Sequence, residues 1–427
     1  MKFRKESPEV QRLRESVQEL SILNEIAIAI SGVWKLDQVV ELIVHKCVKH
    51  LNVEQGTITL LEEEDLDKPF QTMIRKVDNN DTGIPYHFGI QLSGWMLQNR
   101  KPLIVNDFTS DNRFKLFGKS NFSIRSLLSV PLNVKGKMIG LVNLFNKKNK
   151  TGFSENDQRI LSIIAAQSAQ VIESARLYKQ EQVLRGIEED LLVAREIQKQ
   201  LLPKETPKVK GYDIAGYSLS AKEVGGDYYD FIEINEKKLA ICLGDISGKG
   251  IPASLIMANL QATLRGHAHS SLSCANCLEK SNTQLYHSTD IQKFATLFYS
   301  VLDIEKNQLF YSIAGHNPPI YINNSNDVKM LEAGGTVLGF LEKTSYDEET
   351  FTMAKGDILT IYSDGITEAG DHDESYYEEW RLIQVLKKHK DKPASVIIDN
   401  IIDEVLKFSN NSSQNDDMTL IIVKRVE

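Results

Sequence analysis

Cysteine is scarce in this chain: four residues in 427 are too few and too scattered for a disulfide framework. Cys274-Ala275-Asn276-Cys277 is the one Cys-x-x-Cys pair. No second Cys or His pair stands at zinc spacing, so both thiols are expected to be helix residues rather than ligands or redox groups. Long apolar runs are missing too. None approaches the roughly 20 residues that a membrane helix needs, and Met1-Lys2-Phe3-Arg4-Lys5-Glu6 lacks the apolar core of a secretion signal. A cytoplasmic location is the expectation. Positive charge is in the minority, 50 Lys and Arg against 58 Asp and Glu, for a net charge of -8. That argues against nucleic acid as the main partner, which needs clustered Lys and Arg, and leaves a protein substrate or partner open. The nine histidines are scattered. None forms a His-x-x-x-Asp cluster with a second His, which removes the paired His-Asp metal motifs of a cyclic-nucleotide phosphodiesterase.

What remains is ordinary soluble-protein composition, 41% apolar and 25% charged, in a length that suits two or three domains with their own cores. Four short acidic motifs in the second half stand out: Gly225-Gly226-Asp227, Gly244-Asp245-Ile246-Ser247-Gly248-Lys249-Gly250, Ser363-Asp364-Gly365 and Asp416-Asp417-Met418-Thr419. Apolar, strand-like runs adjoin most of them: Leu239 to Leu243 before Asp245, Ile358 to Tyr362 before Asp364, Met418 to Val423 after Asp417. Strand ends distant in sequence can converge in space. Carboxylates gathered there repel one another unless cations neutralise them, and oxygen-only ligands favour hard ions such as Mg²⁺ or Mn²⁺. Two such ions about 4 Å apart can activate a water for attack on a phosphoryl group without a protein nucleophile. Asp-Gly is also a common turn, and Asp416-Asp417 could simply cap a strand. Gly244 to Gly250 is one residue short of a phosphate loop and has Gly250 where Ser or Thr is required, so a nucleoside-triphosphatase is rejected.

Together and in this order, the four motifs resemble those of the metal-dependent Ser/Thr phosphatase superfamily, in particular its bacterial SpoIIE-type sporulation and stress-response branch. The resemblance runs from about Ile197 to Val426. It includes the entry segment Ala194-Arg195-Glu196-Ile197-Gln198 to Leu201-Leu202-Pro203 and the turn Gly315-His316-Asn317-Pro318-Pro319. It implies an α-β-β-α sandwich and two metal ions, Mn²⁺ or Mg²⁺. Asp245 would bridge both, with the Ile246 carbonyl on the second ion; Asp364 and Asp416 would complete the first, and Asp227 would act on the second. Asp417 and Asp230 are less certain neighbours. Lys249 and Lys222 are candidates to neutralise phosphate or are simply solvated, and His316 is expected to be a structural hydrogen-bonding residue rather than a general acid. The implied substrate is a phosphorylated protein, an anti-sigma-factor antagonist. The rival class is a catalytically silent scaffold that binds a partner, against which four intact aspartate motifs argue.

The order of elements reads as α+β. A first domain, 21–178, has helical periodicity over Leu36 to Leu51 and strands at Thr57 to Leu61, Phe70 to Ile74, Ser126 to Val134 and Met138 to Phe145. It resembles a GAF sensor through Ser93-Gly94-Trp95, Pro102 to Asp107, Ser129-Val130-Pro131-Leu132, Gly140-Leu141-Val142 and Phe153 to Asp157, which implies an unknown small ligand. Asn146, Lys147, Phe153 and Asp157 resemble the signature of cyclic-nucleotide GAF domains, although Gln158 replaces its closing Glu; a capping box of Ser154 with Asp157 is the plainer reading. Linear-tetrapyrrole binding is not expected, because Cys47, the module's one cysteine, sits in its first helix.

From Ser154 to Leu202 the pattern is helical and too long to stand without a partner. Leu177, Leu184, Leu191 and Gln198 at position a, with Gln180, Ile187, Ala194 and Leu201 at d, make nearly four heptads of a dimeric coiled coil, weakened by the two glutamines and by Gly186; the alternative is a helix packed on its own catalytic domain. The linker is set at 179–203, ended by Pro203 and Pro207, and an N-terminal helix at 1–20, with Val10, Leu13, Val17 and Leu20, could join the bundle. In the catalytic domain, 204–427, strands are expected at 209–219, 238–244, 295–302, 309–313 and 319–322, and helices at 252–271, 273–288, 378–389 and 394–408, before a final strand.

Overall fold

A computed structural model of the chain describes residues 21, 35–61, 70–76, 86–108, 111, 113, 124–149, 151–289, 293–370, 375–409 and 414–427. The expected helix at 1–20 lies outside them. The chain divides into two compact units, Met1–Gly186 and Ile187–Glu427.

In the first unit, α1 (Leu36–His50) turns Val39, Val40, Ile43, Val44, Cys47 and Val48 inward at the i, i+3, i+4 spacing of an amphipathic helix. The Cys47 thiol is buried there, and burial pushes it up to about 12. Strands β1 (Val53–Leu61), β2 (Phe70–Lys76), β3 (Leu103–Val105), β4 (Leu127–Val134) and β5 (Lys137–Lys147) form one antiparallel sheet in the order β2-β1-β5-β4-β3. Lys135 and Gly136 both take positive φ, 48° and 82°, the left-handed pair that a two-residue hairpin turn requires. Ile58, Val142, Leu144, Leu128 and Val130 share a core with α1 and with Leu161, Ile164 and Ala169 of α3 (Glu155–Leu201). Leu127, Leu141 and Phe145 gather with Leu92 and Met96 of α2 (Tyr86–Asn99) in a second core. Neither α2 nor the three-residue β3 is among the elements expected from periodicity.

The plainer reading of Phe153 to Asp157 holds. Asp157 N donates to Ser154 Oγ (3.2 Å) and Ser154 N donates back to Asp157 Oδ2 (2.9 Å), a reciprocal capping box. Lys147 Nζ reaches Asp157 Oδ1 at 2.7 Å, so the signature-like residues clip the end of β5 to the start of α3.

α3 is one helix of 47 residues. Leu177, Leu184 and Ile187 of the expected seam are 56%, 60% and 51% exposed within the single chain. Gln198 departs from the seam: its side chain is buried in the second unit, held by a hydrogen-bonding demand described below.

The second unit is an α-β-β-α sandwich. One antiparallel sheet runs β12 (Val328–Met330), β11 (Ile320–Ile322), β15 (Ile358–Tyr362), β16 (Met418–Arg425), β6 (Tyr212–Leu219). The other runs β13 (Gly334–Gly335), β10 (Gln308–Ala314), β9 (Ala295–Asp303), β8 (Lys238–Ile246), β7 (Tyr228–Asn235), with β14 (Glu349–Thr352) also on β10. Alternation explains the layering. In β8, Leu239, Ile241 and Leu243 join Ile421 and Val423 of β16 between the sheets. Ala240 and Cys242 turn to α4 (Ile251–Ala268) and α5 (Cys274–Ser288), while Leu420 and Ile422 turn to α7 (Glu378–His389) and α8 (Ala394–Phe408). Cys274 and Cys277 are free, buried helix residues, as expected.

Strand β7 escapes the reading of strands from sequence because Asp230 and Glu233 interrupt its apolar character. Asp230 is fully buried. Arg265 of α4 neutralises it through Nε–Oδ2 (2.7 Å) and Nη2–Oδ1 (3.1 Å), and Tyr228 Oη donates to Oδ2 (2.7 Å). Arg265→Ala should therefore lower stability by about 2 kcal/mol, less than a fully buried pair because the guanidinium is half exposed, read as a fall in urea midpoint. An unchanged midpoint would mean that Asp230 finds another partner.

Candidate active site

The acidic motifs lie at strand ends of the two facing sheets. Tyr228 pairs with Gly244, so the antiparallel register of β7 and β8 carries Asp227 alongside Asp245. Tyr362 pairs with Leu420, which brings the start of α6 (Asp364–Thr367) beside Asp416 and Asp417. The approach there is so close that a Cβ on Gly365 would lie 2.0 Å from the Asp417 carbonyl oxygen, a place only glycine can occupy.

Asp417 joins the sheets. Its Oδ1 accepts from Ala221 N (2.7 Å) and its Oδ2 from Gly226 N (2.6 Å) and Asp227 N (3.3 Å), while its carbonyl accepts from Ser363 Oγ (3.1 Å). It holds the loop before β7 rather than facing the cluster with a free carboxylate. Gly225 and Gly226 permit this path: a Cβ on Gly225 would stand 2.5 Å from Asp417 Oδ2, and one on Gly226 would stand 3.1 Å from the Ile246 carbonyl oxygen.

Burial first, and like charge after it, set the electrostatics. Burial, and then the charges of Asp364, Asp416 and Asp417, push the Asp245 carboxyl up to about 7, a rise moderated by a hydrogen bond with Asp227. Burial, followed by Asp245, raises Asp227 well above the usual carboxylate range, and burial followed by Asp416 raises Asp364. Asp245 is thus the hub, in electrostatic reach of the other three. Asp227 Oδ2 is buried and makes no hydrogen bond. Lys249 Nζ pairs with Asp416 Oδ2 (2.7 Å) and donates to the Asn415 carbonyl (2.6 Å). Among the described residues no three His, Cys, Asp or Glu side chains stand at coordination spacing, so the carboxylates are neighbours rather than a closed cage. The donor chemistry nonetheless fits hard divalent cations: every group is an oxygen, one buried carboxylate oxygen lacks a partner, and added positive charge would relieve the repulsion.

Other sequence candidates fall elsewhere. Asp230 faces Arg265, behind β7. Lys222 is exposed. His316 is buried, with Nδ1 2.8 Å from Thr296 Oγ1 and Nε2 without a hydrogen-bond partner, and burial lowers it to about 4. Two residues near the motifs went unassigned in the sequence. Lys293 Nζ lies 3.0 Å from where a Gly248 Cβ would stand, and nothing in the sequence pointed to it. Gln198 exchanges two hydrogen bonds with Gly225; a polar residue on an otherwise apolar heptad position was the available signal.

A two-sheet sandwich covered by helices on both faces, with clustered aspartates at its strand ends, is the architecture of the metal-dependent protein phosphatases. Residues 235–426 match the family "Stage II sporulation protein E (SpoIIE)", and residues 35–173 match "GAF domain". Phosphoserine phosphatase RsbU of Bacillus subtilis is 31% identical over 253 residues, covering 58% of this chain and 75% of that protein. Phosphoserine phosphatase RsbP of the same organism is 25% identical over 239 residues, covering 55% of this chain and 57% of that protein. The fold is also similar to the SiaA-PP2C domain of Pseudomonas aeruginosa, with a TM-score of 0.51 at 20% identity, over 57% of this chain and 99% of that one. The chain belongs to the SpoIIE family of metal-dependent serine/threonine phosphatases, hydrolases by class, and carries a GAF domain in addition.

The raised Asp245 carboxyl has a consequence for stability without metal. Its folded value, about 7, exceeds its ordinary 3.8. Between those values the folded chain holds a proton that the unfolded chain has released, so its contribution favours folding at low pH and is lost as pH rises towards 7. In excess EDTA, Asp245→Asn should be more stable than wild type at pH 8 by on the order of 3 kcal/mol, with the gap closing near pH 4. Paired urea titrations check this, and a gap independent of pH would exclude Asp245 as the titrating group.

Proposed function

We propose that the chain is a cytoplasmic protein serine/threonine phosphatase, dependent on two Mn²⁺ or Mg²⁺ ions and regulated by its GAF domain. Its substrate is a phosphorylated anti-sigma-factor antagonist of the STAS type, in bacterial stress or developmental signalling. The observation that carries the reading is Asp245, placed by β8 as the hub of four aspartates, its carboxyl raised by burial and then by their charges. Asp245 would contact both ions and the Ile246 carbonyl the second; Asp364 and Asp416 would complete the first, and Asp227 the second. The bound ions supply an activated water and neutralise phosphoryl charge. Lys249, already at Asp416, adds positive charge where a phosphoryl group would enter. The substrate class is supported by the two relatives RsbU and RsbP, which are phosphoserine phosphatases. No helix among the described residues is long and apolar enough to cross a membrane, in keeping with a cytoplasmic enzyme.

The protein should hydrolyse p-nitrophenyl phosphate and a phosphoserine peptide with Mn²⁺ and stop on chelation. Asp364→Asn and Asp245→Asn should each lower turnover more than tenfold, a barrier change of about 1.4 kcal/mol or more, with the fold intact by circular dichroism. Undiminished turnover in excess EDTA would end the two-metal reading.

The exposed seam residues support a homodimer through α3, since Leu184 and Ile187 leave apolar surface uncovered in one chain. Leu184→Asp with Leu191→Asp would set like charges in that seam. The pair should shift the protein towards monomer in light scattering and change its phosphatase rate; a dimeric double variant with wild-type rate would refute the coiled coil.

A further inference from the structure

The last turns of α3 carry a polar side chain where packing would call for an apolar one. Gln198 is 8% exposed, while Ile197 beside it is 58% exposed. An inverted order of this kind needs a specific polar partner, because a buried amide left without one costs more than its burial returns. The partner is a backbone unit. Gln198 Nε2 donates to the Gly225 carbonyl (2.7 Å), and Gly225 N donates to Gln198 Oε1 (3.0 Å), so one side-chain amide satisfies both polar groups of one residue as a neighbouring strand would.

Gly225 begins the loop that ends in Asp227. Its next two N–H groups, on Gly226 and Asp227, go to Asp417 Oδ2. Three successive amides are therefore fixed from two directions, the first by the helix and the next two by Asp417, just ahead of β16. The loop passes so close to its neighbours that a Cβ on Gly225 would meet both Asp417 Oδ2 (2.5 Å) and Ser220 Oγ (2.7 Å). The buried, unpartnered Oδ2 of Asp227 hangs from the end of this fixed run.

We propose that Gln198 is a positioning residue for the Asp227 side of the metal centre: its amide sets the Gly225 peptide, and through it the direction in which Asp227 presents its carboxylate. The proposal rests on the metal-centre reading above. Gln198 touches neither substrate nor ion, so its loss should weaken metal binding rather than remove the chemistry.

The test uses the full chain and two readouts. Hydrogen exchange of metal-free protein, followed by mass spectrometry over 222–229, reports the loop; calorimetric titration with Mn²⁺ reports the site. Gln198→Ala should speed exchange over that segment at least tenfold and weaken Mn²⁺ binding about tenfold, with turnover at saturating Mn²⁺ within threefold of wild type. Gln198→Glu keeps the acceptor for Gly225 N–H but loses the donor, and should weaken Mn²⁺ at least threefold; it carries the test alone if the alanine variant does not fold. Lys199→Ala, on the exposed face, should match wild type in both readouts. Wild-type exchange and wild-type Mn²⁺ affinity in either Gln198 variant overturn the proposal while leaving the metal centre standing. A wild-type protein that takes up no Mn²⁺ overturns the metal-centre reading itself, and the proposal with it.

Discussion

Four aspartates at the same end of a β-sandwich repel one another, and the protein must hold them there regardless. Their backbone positions come from strand register, which apolar packing between and outside the sheets enforces: Ile241 and Leu243 of β8 and Ile421 and Val423 of β16 share one core. The charges do not stabilise that arrangement. Asp245, raised to about 7 by burial and then by Asp364, Asp416 and Asp417, shows that both burial and repulsion oppose its charge. What the fold supplies is a set of local restraints, Asp417 on three amides, Lys249 on Asp416 and Gln198 on Gly225, that keep the carboxylates in place. Such stored repulsion makes the site receptive to cations and costs stability in their absence.

The sandwich was legible where strands are apolar throughout. β15 and β16 bury almost every residue and read as strands at once, and helices Glu378–His389 and Ala394–Phe408 have the limits their periodicity indicated. β7 was not legible, because Asp230 makes sense only beside Arg265, 35 residues away. In the sensor, α2 has Gly89 and Gly94 within its length and weak periodicity, so no pattern marked it. The resemblance of the four motifs pointed to the aspartates, yet the division of labour among them needed geometry. Asp417 looked like a neighbour of a ligand and is the tie between loop and sheet. Gln198 looked like a flaw in a heptad and is bonded to the metal-motif loop.

The long helix meets two demands along its length. Near its start it buries Leu161, Ile164, Ala165, Ala169 and Ile172 against the sensor sheet. Near its end it gives Gln198 to Gly225 and its Leu201 carbonyl to Gln261 Nε2 (3.4 Å). Between these, Leu177, Val183, Leu184 and Ile187 are left exposed. These apolar side chains stand among Lys179, Glu181 and Arg185 and lie uncovered between two packed ends.

The central claim is that Asp245 lies between two divalent ions. Anomalous scattering at the manganese edge from Mn²⁺-soaked crystals tests it most directly. Two peaks about 4 Å apart, with the Asp245 carboxylate reaching both and Asp227, Asp364 and Asp416 around them, is the predicted result. Peaks built on other residues, or a map with no peak within coordination distance of Asp245, would contradict it.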